Sequence, residues 1–141
     1  MTLIDIYDEL KEKGIKYYSG RYGFGNDVDA ATIEIRGCYG IFFDVTQLKT
    51  ERQEMHTAVH ELSHIETGAM VSIDATPWEV YKAEQKATRH EIKRMIPFAE
   101  LRAVTQSEEC RNNYEIAEHF NVPEELVEQA IEYYHNHGER W

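Results

Sequence analysis

The residues His60-Glu61-Leu62-Ser63-His64 read H-E-x-x-H, two imidazoles four positions apart with a carboxylate beside the first. On a helix, residues four apart lie one above the other, so both rings can converge on a single Zn²⁺. Glu61 projects about 100° around the axis from His60 and is free to act as base on a metal-activated water. That chemistry is the hydrolysis of a peptide bond by a zinc metallopeptidase. The competing reading is a pair of histidines on an ordinary solvated face, so the surrounding elements must decide.

Those elements are legible. Thr50 and Gln53 spell a capping box and Gly68 a C-terminal stop, which predicts a helix over about 51–66. Met55, Ala58, Val59, Leu62 and Ile65 form its core stripe, leaving His60 and His64 on the other side. His56 extends the histidine row, but it stands about 12 Å along the axis from His64, too far for one ion to hold all three. It is expected in solvent or behind the ligands.

A catalytic zinc site needs a third protein ligand from another element. Thr76-Pro77-Trp78-Glu79 starts a second helix, which should run to about Ile96 because Pro97 blocks continuation. Its inward stripe is read from Val80, Ala87 and Met95, with Glu84 in the middle beside Tyr81, Ala87 and Thr88. A buried carboxylate requires compensation, and a cation supplies it. Ala83 and Ala87 would let the two helices approach closely. A surface salt bridge from Glu84 to Lys82 or Lys86 is the plain alternative, and His90, Glu91 and Asp74 are the other ligand candidates; Glu91 shares the stripe of Glu84, whereas His90 does not.

On these residues the chain resembles the ImmA/IrrE family of metallo-endopeptidases of prophages, mobile elements and bacterial stress regulons. The likeness runs through the strand Gly40–Val45 with its Asp44, through Ala58–His64, through Glu66-Thr67-Gly68, and through Glu84, Ala87 and Pro97 at the family's spacing; Ile116–Pro123 resembles the end of many members. The resemblance implies Zn²⁺ bound by His60, His64 and Glu84, Glu61 as catalytic residue, and a helix-turn-helix repressor as protein substrate. Ser63 stands where members usually have Gly, and His90-Glu91 where an aromatic-Ala pair is common. Ser costs less than Gly within a helix. Glu91 must either reach solvent or act as an acceptor behind a ligand. Tyr81, His90 and Arg21 are the candidates for steadying an oxyanion.

At 141 residues one core is expected, with a metallopeptidase core over 1–106 and an acidic helical extension over 107–141. No apolar run approaches 18 residues, and an acid at Asp5 interrupts any leader, so a cytoplasmic protein is expected. Cys38 and Cys110 read as reduced, buried thiols. The net charge of −11 argues against nucleic acid and anionic membranes. From Glu108 onward nine glutamates face Arg111 and Arg140, a local net of −7. Residues 114–134 have the outline of a helix-turn-helix, but its second helix, Glu124–Glu132, carries no cation to read bases or bind phosphate. These acidic helices either dock on a basic protein or form a solvated face.

Toward the N-terminus, Leu3, Ile6, Tyr7 and Leu10 mark a helix ending at Gly14, and residues 15–18 a short strand. Thr32–Arg36 alternates with period two, and residues 37–40 should turn it into Ile41–Val45. The expected fold is α+β: a small antiparallel sheet packed on the zinc helix and the second ligand-bearing helix, with a C-terminal helical pair. The hairpin is either scaffold alone or an edge that receives an extended substrate. A rival function is a non-catalytic antirepressor whose metal site is structural, closed by His90 or Glu91; a DNA-binding regulator is disfavoured by the charge.

Overall fold

The computed structural model describes residues 1–25, 27–72 and 74–141. Their elements run α1 (Leu3–Glu12), β1 (Lys16–Gly20), β2 (Ala30–Ile35), β3 (Cys38–Asp44), α2 (Glu51–Thr67), α3 (Pro77–Met95), α4 (Phe98–Thr105), α5 (Asn113–Phe120) and α6 (Glu124–Asn136), an α+β fold.

The hairpin closes more tightly than the sequence suggests. Arg36 and Gly37 both have positive φ (52° and 80°), the two-residue turn whose twist matches that of paired strands. β3 therefore starts at Cys38, and residues 38–40 belong to the strand. The sheet is mixed, with order β1-β3-β2: β2 pairs antiparallel with β3, while β1 runs parallel along its other side. The expected purely antiparallel sheet is corrected here. β1 is not paired with β2, the strand that follows it in sequence, but with β3, the return strand of the hairpin, and runs in the same direction.

One face of the sheet, carrying Ala30, Ile41 and Phe43, is buried against the helices, and β2 and β3 register these residues on the same side. Ile6 and Leu10 of α1 and Met55, Ala58, Val59 and Leu62 of α2 complete this part of the core, all at most 1% exposed. α2 forms where it was expected. The Thr50 hydroxyl accepts from Gln53 N at 3.1 Å, but the Gln53 side chain accepts from Lys49 N rather than closing the box.

Along α3 the residues before Ala83 are exposed, including Val80, which the stripe had placed inward. Packing begins at Ala83 and Ala87, where α3 lies against α2, and continues through Glu91, Ile92 and Met95. Beyond residue 106, α5 and α6 share one hydrophobic cluster with the rest. Leu126, Val127, Ala130 and Tyr134 are buried in it, and the Tyr134 hydroxyl donates to Ile96 O at 2.7 Å. Cys38 is exposed and Cys110 half-buried, so neither is the core thiol expected of it; Cys38 follows directly on the hairpin turn, outside the packed face. No helix among the described residues is long and apolar enough to cross a membrane.

Charged side chains pin α1, α2 and α3 together at one end. Arg94 grips Glu9 through both terminal guanidinium nitrogens, Nη1 and Nη2, and Lys13 bridges Glu9 and Glu66. The Arg94 hydrogen bond, reinforced by Lys13, holds the Glu9 carboxyl below its usual range against the opposing effect of burial. A depressed carboxylate pKa stabilises the fold above the unfolded value, and that stability is lost as pH falls through the folded one. Arg94→Ala should therefore cost on the order of 1 kcal/mol at neutral pH in chemical denaturation, with the difference from wild type shrinking below about pH 4.

Candidate metal centre

Packing the small Ala83 and Ala87 against α2 brings Glu84 over the histidine row. Glu84 Oε2 lies 2.9 Å from His60 Nε2 and Oε1 lies 2.9 Å from His64 Nε2. One ligand atom from each of the three side chains falls within 4.8 Å of the others, a group that could hold a metal ion. Among the described residues Glu84 makes no salt bridge to Lys82 or Lys86. Its side chain is 50% exposed, so it sits at the solvent margin rather than mid-stripe.

Each imidazole is oriented from behind. Gly68 ends α2 in the left-handed conformation (φ 68°), turning the chain so that the Ala69 carbonyl accepts from His64 Nδ1 at 2.7 Å. His60 Nδ1 lies 3.3 Å from Glu91 Oε1. Both rings thus have Nδ1 committed and Nε2 directed at Glu84, the tautomer that a metal site with such supporting acceptors requires. Glu91 is 1% exposed and takes the acceptor role, not that of a ligand. Its other oxygen lies 2.6 Å from His56 Nδ1, an ion-pair contact outside the angle of a directed hydrogen bond.

The electrostatics follow from this ladder. Burial opposes charge on His60, but Glu84 and Glu91 outweigh it and push its pKa up to about 10. His64 is also raised, burial being overcome by Glu84 and the Ala69 carbonyl. The two imidazoles hold Glu84 well below the carboxylate range. Burial alone would raise Glu91; His56 and His60 reverse the sign. Glu61 goes the other way: burial raises its pKa, only partly offset by the Thr32 hydroxyl, which donates to Oε2. Glu84 stands between the two Nε2 atoms, so an incoming cation must displace the protons those nitrogens share with its carboxylate.

Glu61, His60 and Glu84 line one cleft of about 340 Å³, with Asp27 and Asp29 on one side and Glu125 and Gln129 of α6 on another. His90 faces away, its Nδ1 3.3 Å from Ser63 Oγ and its Nε2 3.3 Å from Glu66. Ser63 is buried and donates to Val59 O at 2.8 Å, so its hydroxyl is satisfied within the helix. Asp74 is exposed and outside the ligand group. Tyr81 is 53% exposed and stacked on Trp78, and Arg21 acts on Asp44; neither lines the cleft, nor does His90. Two contributors went unread in the sequence, Thr32 and the Ala69 carbonyl. Period-two alternation puts Thr32 on a face of β2 without saying which face meets α2, and a backbone carbonyl leaves no mark in residue type.

Comparison of the chain with family models, with curated proteins and with solved structures returns no match.

Zinc titration of the purified protein should give one tight site that is lost in His60→Ala, His64→Ala and Glu84→Ala and kept in His90→Ala. Glu91→Gln should weaken binding about 10–100-fold, since it frees the His60 ring. Because both histidines must lose protons to bind, affinity should rise from pH 6 to pH 8, with proton uptake by buffer visible in calorimetry.

Proposed function

We propose that the chain is a zinc-dependent endopeptidase of the ImmA/IrrE type, acting in the cytoplasm on a basic protein such as a DNA-binding repressor. One observation carries the reading: two imidazole Nε2 atoms from α2 and a carboxylate from α3 converge, and His60 and Glu84 of that group line the same open cleft as Glu61. Two histidines and a glutamate are the ligand set of a catalytic rather than a purely structural zinc site.

His60, His64 and Glu84 would hold the ion, which when bound supplies Lewis acidity and a water that is nucleophilic near neutral pH. Glu61 takes the proton of the attacking water and returns it to the departing amine. Its desolvated setting suits that role, because a carboxylate with a raised pKa is a stronger base. The rival reading, an antirepressor with a structural site closed by a fourth residue such as His90 or Glu91, is less favoured, because His90 contacts Ser63 and Glu66 and Glu91 contacts His60.

A basic substrate is favoured by the walls of the cleft. Asp27, Asp29 and Glu125 border it, and no lysine or arginine does among the described residues. Glu125 comes from the acidic extension, which so contributes to the site rather than standing apart. β2 is an edge strand next to α2, where an extended segment could pair through its backbone. α6 buries Leu126, Val127 and Ala130 and turns glutamates outward, in keeping with a protein partner and not with DNA.

Incubated with zinc and a proteome-derived peptide library, wild type should generate new N-termini, and Glu61→Gln should bind zinc equally while cleaving about 10²–10⁴-fold more slowly. Equal cleavage by Glu61→Gln, or none by wild type, would refute the enzyme.

A further inference from the structure

The base of the proposed reaction is held by a strand, not only by its own helix. The Thr32 hydroxyl, on β2, donates to Glu61 Oε2. The backbone phase of β2 follows from two facts: Asp44 N donates to Asp29 O at 2.8 Å, and the hairpin closes on the two residues after Ile35. In an antiparallel pair such positions alternate, so Ala31, Ile33 and Ile35 exchange bonds with β3, while Ala30, Thr32 and Glu34 turn their N–H and C=O toward the open edge. Thr32 thus offers its side chain to Glu61 and its main chain to whatever pairs with that edge.

We infer that Thr32 is a positioning residue for Glu61, fixing which carboxylate oxygen takes the proton and tying the base to the strand that would register an extended substrate. The inference rests on the endopeptidase reading. A hydroxyl committed to Oε2 makes that oxygen the weaker base and sets the carboxylate plane, leaving Oε1 for the attacking water. In the absence of this donor a desolvated carboxylate can rotate, and misplacement of about 1 Å at a reacting group can cost on the order of 10²-fold in rate.

Valine is the informative replacement, being isosteric with threonine and β-branched, hence suited to the strand; serine keeps the donor. In metal-free protein, a urea-unfolding cycle of Thr32→Val and Glu61→Leu should show coupling, Thr32→Val lowering the folding constant about tenfold more when Glu61 is present. On the library peptide that zinc-loaded wild type cleaves fastest, Thr32→Val should lower kcat about 10–100-fold with KM and zinc content unchanged, and Thr32→Ser should recover most of the rate. Additive unfolding energies, an unchanged kcat in Thr32→Val, or an equal loss in Thr32→Ser would each overturn the positioning role while leaving the enzyme standing. A wild type that cleaves no peptide spared by Glu61→Gln would remove both readings together.

Discussion

The site depends on one carboxylate spanning two imidazoles across the contact between α2 and α3. Glu84 is close enough to His60 and His64 only because Ala83 and Ala87 present almost no side chain to the facing helix. Helix separation scales with the residues at the contact, and the small pair lets the backbones approach. The same crossing buries Glu91 beneath the histidines, where its charge is sustained by His56 and His60. An isolated carboxylate at 1% exposure would be costly, so the ladder His56–Glu91–His60–Glu84–His64 stands or falls as a unit.

The parts of this centre encoded by period and punctuation were legible in the sequence. Thr50 and Gly68 bounded α2 to within a residue, Thr76-Pro77 began α3, and the spacing of His60 and His64 specified a shared face. What could not be read was rotation and partner choice. The apolar spacing of α3 suggested Val80 as an inward residue, yet α2 offers it nothing to pack on, and Val80 is 40% exposed. Glu84 and Glu91 lie one above the other on the same stripe, and only tertiary packing makes one a half-exposed ligand candidate and the other a buried acceptor. The parallel placement of β1 beside β3 is likewise a choice of partner, for which residue type along the strand gives no periodic signal.

The acidic composition acquires a location. Segregated by sequence it looked like a tail of glutamates; folded, α6 buries its apolar stripe against α3 and α5 and brings Glu125 and Gln129 to the rim of the cleft. Together with Asp27 and Asp29 this produces a negative field around the histidines. Charges around a concave site raise the local concentration of oppositely charged groups. The cleft is therefore attractive both to divalent cations and to positively charged chain segments.

His60 and His64 are braced in different currencies. The first relies on the side chain of Glu91, so a single base change could erase its support. The second relies on the main-chain oxygen at Ala69, which every amino acid would supply equally well. The side chain at position 69 takes no part in the brace, whereas lengthening or shortening that bend by one residue would carry the oxygen away. Half of the histidine pair thus hangs on the path of the main chain, which the left-handed Gly68 and the length of the bend set, and half on a side chain.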